Sequence, residues 1–339
     1  MNILLIRRLT FKNMNLTAKA RAHTNIALIK YWGKKNKSLI IPFNNSISLT
    51  LDSFYTDTKV TFSNHLKNDI FTINNIKQSK KETNKITKFL NIIRNMSQIR
   101  LNAKVESTNN FATSAGLASS SSGFAALSLA ASKAANLNLS KRQLSILARK
   151  GSGSACRSIY GGLVEWVKGS NDQTSFAIPI EEKINWGIQI ISITFDNNVK
   201  KISSRQGMEI SVNTSPFYNQ WIIEANKDIK LIKQAIKEKN IDKIGLIAQN
   251  NALKMHALTI SSNPWFTYWK PETLRAISII NSLHLNKKLS CYFSIDAGPN
   301  VKIICNKKQT SELLSELYKH FNQNQISISS PGPGVHLID

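Results

Sequence analysis

Residues 109–124 read NNFATSAGLASSSSGF, a run of small and hydroxyl-bearing residues that leads directly into the apolar segment AALSLAAS. A flexible linker would be followed by another change of composition, whereas a helical pattern follows here at once and continues to about Ala135. Unpaired backbone N–H groups and the helix dipole favour an anion at such a position. The stretch predicts a phosphate-binding loop, with a Ser-rich helix start as the alternative. It is not a Walker A loop, because no Gly-Lys-Ser/Thr follows.

The size and composition of the chain are those of a globular protein. It has 339 residues, of which 42% are hydrophobic and 19% charged, enough for two packed domains. No apolar run is long enough to span a bilayer, and the first residues lack the length and cleavage site of a secretory signal. The cysteines contain no CxxC pair and predict buried thiols in a reducing cytoplasm; they are Cys156, Cys291 and Cys305.

The formal net charge of +25 is the unusual bulk property. It suggests nucleic-acid binding, but the lysines are scattered among Asn and Ile along the whole chain instead of forming one stripe. A basic protein that acts on a multiply anionic small molecule fits the charge equally well.

Strand and helix patterns follow one another in a way that predicts an α+β protein of two domains, residues 18–185 and 186–339, after an N-terminal extension of residues 1–17. Helical patterns dominate residues 216–285. A further helix has Ser140 as its N-cap and Gly151 as its stop. Other helices are expected at 80–95 and 311–321, and strands at 44–52, 58–62, 69–74, 99–107, 163–167, 173–180, 186–195, 291–295, 301–305 and 326–329.

Two further loops combine small residues, hydroxyls and cations. In GSGSACRS, which begins at Gly151, glycines allow close approach of the backbone to a ligand, and Arg157 offers a planar fork to phosphate oxygens. In KKISSRQGM, at 200–208, lysines, serines and Arg205 lie together. The alternatives are an ordinary Gly-Ser turn between helices and a solvated surface turn.

Two more segments carry candidate reactive groups. The segment IALIKYWGKK places Lys30 and Lys34 on either side of two aromatic residues, which are equally compatible with a core position. The segment SIDAGPN puts Asp296 on a tight turn between two apolar strands. Asp in a turn usually caps backbone N–H groups, but a carboxylate among cationic loops is also a candidate general base.

Taken together, these segments resemble the GHMP kinase superfamily and, within it, the diphosphomevalonate decarboxylases. The first loop is similar to the superfamily phosphate loop, although Ala112 stands where that loop usually has Pro. The decarboxylase branch is indicated by NIALIKYWGK, GSGSACRSIYGGLVEW, SSRQGM, NPWFTYW and DAGPN, and the resemblance covers residues 18–339. It implies the two-domain GHMP-kinase-like fold, with a ribosomal-protein-S5-like N-terminal domain and a ferredoxin-like C-terminal domain.

The resemblance also implies an activity. ATP would phosphorylate the tertiary 3-hydroxyl of mevalonate 5-diphosphate, and loss of phosphate and CO2 would then give isopentenyl diphosphate, a step of the mevalonate pathway of isoprenoid and lipid biosynthesis. ATP and Mg2+ would be the cofactors, with no residue assigned as a metal ligand. The protein would be a cytoplasmic homodimer that binds neither nucleic acid nor membrane.

Site roles follow from the same resemblance, position by position. Asp296 would be the catalytic base and Lys30 its neighbouring cation. The substrate would be bound by Tyr31, Trp32, Gly33, Lys34, Ser152, Gly153, Ser154, Ala155, Cys156, Arg157, Ser204 and Arg205. ATP would be bound by Lys85, Ala115, Gly116, Leu117, Ser119, Ser120 and Lys201.

Two alternatives remain open at this point. A related small-molecule kinase would share the phosphate loop and release no CO2. An RNA-binding protein with the same N-terminal fold would show binding that depends steeply on salt, and no ATP turnover.

Overall fold

The structure is a computed structural model that describes residues 16–111, 119–195 and 201–339, without the side chain of Ser119. The predicted N-terminal extension therefore lies almost wholly outside the described residues. In the first half the strands are β1 (Thr17–Ile29), β2 (Lys34–Asn36), β3 (Ile41–Pro42), β4 (Ser46–Ser63), β5 (Ile70–Ile73), β6 (Ile76–Lys77), β7 (Asn102–Asn109), β8 (Leu163–Val167) and β9 (Phe176–Glu181). The helices are α1 (Lys80–Ser97), α2 (Ser119–Ala134), α3 (Lys141–Gly151) and a 3-10 helix (Gly153–Ile159).

The second half is built mainly from helices and one small sheet. Its strands are β10 (Ile188–Ile193), β11 (Cys291–Ile295), β12 (Val301–Asn306), β13 (Ile326–Ser329) and β14 (His336–Ile338). Its helices are α4 (Ser204–Thr214), α5 (Tyr218–Lys237), α6 (Ile241–Ile260), α7 (Pro271–Lys287) and α8 (Thr310–Leu317), with short 3-10 helices at Lys307–Gln309 and Gln323–Gln325. The mixed α+β class predicted from the sequence is confirmed.

Local signals placed most elements correctly. Ser140 is the N-cap of α3, where its hydroxyl accepts from Gln143 N and the Gln143 side chain accepts in return from Ser140 N. The prediction of separate strands at 44–52 and 58–62 is wrong, because both belong to β4. The residues between them stay extended since they pair with β1, for example Asp57 with Arg21. An Arg21–Asp57 ion pair of 2.7 Å supports this pairing.

Two sheets organise the molecule. The larger sheet has the order β14-β1-β4-β7-β5-β6, and β8 pairs with β4 and with β9. The smaller sheet is antiparallel, with the order β11-β12-β10-β13. The sequence did not predict β14, a three-residue strand that returns from the second half to pair with β1. The division of the chain at residue 185 stays a prediction.

Apolar contacts join the two halves of the chain where the larger and the smaller sheet meet. One cluster lies under the larger sheet and includes Leu90 and Leu127, and another lies between the smaller sheet and α7 and α8. A third cluster brings Leu28 and Leu49 of the larger sheet against Ile190 of the smaller one. The ends of β1 and β11 are therefore held in one packed body.

Two bulk expectations can be compared with the structure. All three cysteines are buried free thiols, as predicted. Among the described helices, none combines the length and the apolar character needed to cross a membrane.

Candidate active site

A lysine and an aspartate from distant parts of the chain form the centre of the site. Lys30 directly follows β1 and Asp296 directly follows β11, and the Lys30 Nζ lies 2.7 Å from Asp296 Oδ1. The Lys30 side chain is 2% exposed, whereas that of Asp296 is 29% exposed. The predicted meeting of these two residues is therefore confirmed, with the cation enclosed and the carboxylate reaching the surface of the site.

Hydrogen bonds fix both the side-chain ammonium group and the backbone N–H of Lys30. Its Nζ donates to Ala27 O at 2.9 Å and to Ser294 Oγ at 2.8 Å, in addition to Asp296. These bonds use all three donors of an ammonium group. Its backbone N donates to Asn251 Oδ1 at 2.8 Å. Burial lowers the pKa of Lys30, and the charge of Asp296 opposes this effect. A cation held this close favours the ionised carboxylate, the form that accepts a proton.

The turn that carries Asp296 is tied to its surroundings on several sides. Gly298 N donates to Asp296 O at 2.7 Å and closes the turn. The Thr273 hydroxyl of α7 donates to Pro299 O at 2.7 Å, and Asn300 Oδ1 accepts from Phe195 N at 2.8 Å. These hydrogen bonds hold the turn of the candidate base in place, and a general base must be held within reach of the proton it accepts.

His256 of α6 lies directly behind this turn, and the sequence analysis missed it. It is 1% exposed, and its Nε2 lies 3.3 Å from the carbonyl oxygen of Ile295. Burial, with a smaller effect of the Lys30 charge, lowers the pKa of His256 to about 3. The imidazole is therefore neutral at physiological pH. The segment KMHALT carries no motif that distinguishes this histidine from an ordinary helical core residue.

We expect His256 to make the protein less stable in acid. Between its unfolded pKa of 6.5 and its folded pKa of about 3, only the unfolded chain binds the proton. The free energy of unfolding therefore falls as pH falls through this window, by about 1.4 kcal/mol per pH unit. Urea unfolding at pH 7 and pH 5 should show wild type losing roughly 2 kcal/mol more than His256→Gln. Parallel losses in the two proteins would contradict this assignment.

Arg157 lies in the 3-10 helix and is enclosed to the same degree as Lys30. It is 2% exposed; its Nε donates to Ser48 Oγ at 2.9 Å and its Nη1 to Ser46 Oγ at 2.5 Å. Its Nη2 donates to Asn25 Oδ1 at 3.2 Å. Burial lowers the pKa of Arg157, while the charge of Asp296 acts to raise it. Among the described residues Arg157 has no carboxylate in ion-pair contact, and its partners Ser46, Ser48 and Asn25 are all neutral.

The rest of the GSGSACRS loop is packed more tightly than its composition suggested. A Cβ on Gly151 would lie 2.0 Å from the Phe124 ring, and one on Gly153 would lie 2.8 Å from Trp166. These glycines therefore allow close packing of aromatic rings. Ala155 and Cys156 have no exposed surface, and burial raises the pKa of the Cys156 thiol to about 12. A ligand contact by these two residues would have to use the backbone.

Two serines bring the first two loops together. Ser152 caps the end of α3, and its Oγ lies 3.2 Å from the Oγ of Ser120 in the first turn of α2. Ser154 contributes its carbonyl oxygen to Asn25 Nδ2 at 3.2 Å. Asn25 was also missed from the sequence, although it opens the quoted segment NIALIKYWGK. Its amide holds both Arg157 and the 3-10 helix.

The KYWGK segment lies mostly in the core, and only Tyr31 and Lys34 are partly exposed. Trp32 is 2% exposed and packs in a cluster with Tyr218 and Tyr268. It therefore occupies the core position with which the sequence was also compatible. The Tyr31 ring lies 4.7 Å from the Trp166 ring. Burial raises the pKa of Tyr31 and keeps its hydroxyl protonated. Gly33 has φ +111° and faces the Tyr218 hydroxyl, so only glycine suits this turn.

The third loop begins α4 and approaches Lys34. Ser203 is the N-cap of this helix, and Ser204 is its first residue. Arg205 is exposed, and it helps burial to lower the pKa of Lys34. Lys201 is also exposed. Lys34 and Arg205 form a cationic edge at the end of the KYWGK segment.

The remaining ATP candidates are only partly visible. Lys85 is exposed on α1 and pairs with Glu82 at 2.7 Å. Its helix packs on α2 through Phe89 and Phe124, whose rings lie 5.3 Å apart. Ala112, Ala115, Gly116 and Leu117 lie outside the described residues, as does the side chain of Ser119. The described residues contain no group of three His, Cys, Asp or Glu side chains that could hold a metal ion.

Comparisons with known proteins match both halves of the chain. A family model described as the diphosphomevalonate decarboxylase-like N-terminal domain matches residues 22–177, and one described as the mevalonate 5-diphosphate decarboxylase C-terminal domain matches residues 190–331. A diphosphomevalonate decarboxylase from Candida albicans is 34% identical over 346 residues, which cover 95% of this chain and 94% of the relative.

Solved structures agree with these matches. The crystal structure of mevalonate diphosphate decarboxylase from Staphylococcus aureus is 45% identical, with a TM-score of 0.91, over 95% of this chain and 98% of that one. A structure of MDDEF in complex with MVAPP, AMPPCP and magnesium is 47% identical, with a TM-score of 0.90, over 95% of this chain and 99% of that one.

The fold is thus that of the two-domain GHMP-kinase-like proteins, as the sequence predicted. Both halves of the chain match the same specialised branch of that class over nearly their whole length. The chain belongs to the diphosphomevalonate decarboxylase family.

Proposed function

We propose that this chain catalyses the ATP-dependent decarboxylation of mevalonate 5-diphosphate to isopentenyl diphosphate, with ADP, phosphate and CO2 as the other products. The observation that carries the proposal is the 2.7 Å contact between the enclosed Lys30 and the partly exposed Asp296 in a chain of this family. The pair offers a fixed proton acceptor beside a cation, with Arg157 in the same electrostatic environment.

Asp296 has the role of general base in this proposal. A tertiary alcohol is a poor nucleophile, so Asp296 takes its proton while the oxygen attacks the γ-phosphorus of ATP and ADP leaves. The new phosphate is a better leaving group than hydroxide. When its C–O bond breaks, the C–C bond to the carboxylate also breaks, its electron pair forms the double bond, and CO2 departs. Lys30 keeps Asp296 ionised and oriented.

In this proposal Arg157 and the cationic edge bind the negatively charged groups of the substrate. Arg157 donates only to neutral partners among the described residues and shares the electrostatic environment of Asp296. Lys34 and Arg205 add two further cations near the surface. Charge-assisted hydrogen bonds from such groups suit a carboxylate and a diphosphate. Ser152, Ser154 and Ser204 are the hydroxyl groups assigned to the same substrate.

ATP belongs at the N-terminus of α2 in this proposal, where backbone N–H groups and the exposed Ser120 meet Ser152. Lys201 and Lys85 are the cations assigned to its phosphates. Mg2+ is usually held by one or two protein groups together with phosphates and water. We infer that Mg2+ arrives with the nucleotide, whose phosphates supply ligands to the metal. The related complex with AMPPCP and magnesium supports both cofactors.

The test is a parallel measurement of ADP and CO2 with purified protein, ATP, Mg2+ and mevalonate 5-diphosphate. We expect equal amounts of ADP and CO2, and no reaction without any one of the components. ADP without CO2 would support the related small-molecule kinase. Absence of ATP turnover together with salt-dependent RNA binding would support the RNA-binding alternative.

A homodimer is also part of the proposal. Three apolar residues on α6 recur at a seven-residue spacing and remain 36–49% exposed: Leu246, Leu253 and Ile260. Such a stripe is suited to packing against the same stripe of a second copy. Light scattering should give twice the 38.0 kDa chain mass, and Leu253→Lys should shift it to one chain. A monomeric wild-type protein at micromolar concentration would contradict the proposal.

A further inference from the structure

Helix α6 contacts both members of the Lys30–Asp296 pair. Asn251 is fully buried; its Oδ1 accepts from Lys30 N at 2.8 Å, and its Nδ2 donates to Asp228 Oδ2 at 2.7 Å. Five residues further along, His256 lies 3.3 Å from the carbonyl oxygen of Ile295, the residue before Asp296. One helix therefore holds the backbone at Lys30 and the Ile295–Asp296 peptide, although these residues follow strands of two different sheets.

The direction of the His256 hydrogen bond follows from its partners. The Ile295 carbonyl oxygen can only accept, so Nε2 must carry the ring proton and donate. The other nitrogen, Nδ1, is buried without a hydrogen-bond partner among the described residues. A neutral imidazole has one N–H, and in this tautomer that N–H points at the carbonyl oxygen of the Ile295–Asp296 peptide. The charged groups facing the ring are Lys30 and Asp296.

The surroundings of the ring favour a single orientation. The His256 ring centroid lies 5.0 Å from that of Trp269 and 6.4 Å from that of Tyr268. Leaving Nδ1 buried and unpartnered costs free energy. An apolar side chain would avoid that cost if the position only filled space. A histidine at this position is explained if its hydrogen bond to the Ile295 carbonyl oxygen is needed to hold the turn.

We propose that His256 is a positioning residue, whose Nε2–H fixes the Ile295–Asp296 peptide and thereby sets the direction in which the Asp296 carboxylate faces the substrate. The inference rests on the proposed function. His256 does not touch the reacting atoms, so its loss should lower turnover and leave binding of the substrate and of ATP largely intact.

The test compares two substitutions of similar size. His256→Gln keeps an N–H donor at the distance of Nε2, whereas His256→Leu fills the space without a donor. A misplacement of about 1 Å in a catalytic group costs on the order of 100-fold. We therefore expect His256→Leu to lower kcat by about 10- to 100-fold with both KM values within about 2-fold of wild type, and His256→Gln to retain most of kcat.

His284 of α7, whose ring lies 4.8 Å from that of Tyr292 near the start of β11, supplies the matched control. His284 also contacts a backbone carbonyl oxygen, that of Leu289, at 2.9 Å through Nδ1. His284→Leu should leave kcat unchanged. Should His256→Leu fail to fold, His256→Asn replaces it, since the shorter amide is polar but does not reach Ile295.

The outcomes separate this inference from the proposed function. An inactive wild-type protein would overturn the proposed function itself. With an active wild type, a His256→Leu kcat within about 3-fold of wild type would overturn the positioning role. An equal loss in His256→Gln and His256→Leu would also overturn it, because the donor would then not be the feature that matters.

Discussion

Asp296→Asn should lower kcat by about 10²- to 10⁴-fold while the affinities for ATP and mevalonate 5-diphosphate stay near their wild-type values. An amide cannot take the proton of the tertiary hydroxyl. Its oxygen can still accept from Lys30 Nζ, which now lies 2.7 Å from Asp296 Oδ1, so the arrangement of the pair is retained. Loss of turnover with binding preserved would therefore report on the chemistry.

The competing interpretation is that Asp296 serves only its own turn. Asn stabilises turns almost as well as Asp, so this view expects nearly normal turnover in the same variant. A kcat within a few-fold of wild type would remove Asp296 from the catalytic residues. Asp57→Asn is the matched control, because it removes the carboxylate of a part-buried ion pair with Arg21 without touching the site. It should leave kcat unchanged.

Most of the architecture could be predicted from apolar periodicity and capping residues. Helix α3 is the clearest case, since Ser140 is its N-cap and Gly151 its last residue. The errors arose where pairing over long distances decides the structure. Strand β4 continues past its polar middle because β1 lies beside it, and β14 forms only because β1 offers an edge to a short segment that carries no strand pattern of its own.

The site was predictable only where a local motif marks it. Asp296 and Lys30 lie in distinctive segments, and the resemblance to a family brought them together before any distance was known. His256 and Asn251 lie on a helix whose sequence resembles that of an ordinary core helix, so no local pattern distinguishes them. The glycines of GSGSACRS did form a recognisable pattern, but the structure gives that pattern a different cause. They suggested close approach of a ligand, and the structure shows close approach of the rings of Phe124 and Trp166.

Arg157→Lys is expected to give the second large effect, a loss of affinity for mevalonate 5-diphosphate. Lysine keeps the charge but not the planar fork, so at least one charge-assisted hydrogen bond to the substrate is lost. Such a bond contributes about 1.5–3 kcal/mol, which corresponds to roughly a 10- to 150-fold rise in Kd. Calorimetric titration measures this directly, and the affinity for ATP should change little.

The buried position of Arg157 means that stability must be measured in the same variant. Its guanidinium also donates to Ser46, Ser48 and Asn25, and lysine cannot reproduce all three bonds. Arg149→Lys supplies the matched control. Arg149 is equally buried, but it pairs with Asp172 and with the carbonyl oxygen of Ser175. Both variants should unfold at lower temperature, and only Arg157→Lys should weaken substrate binding. Equal losses of stability with an unchanged Kd would make Arg157 a structural residue, because its charge would then serve the fold alone.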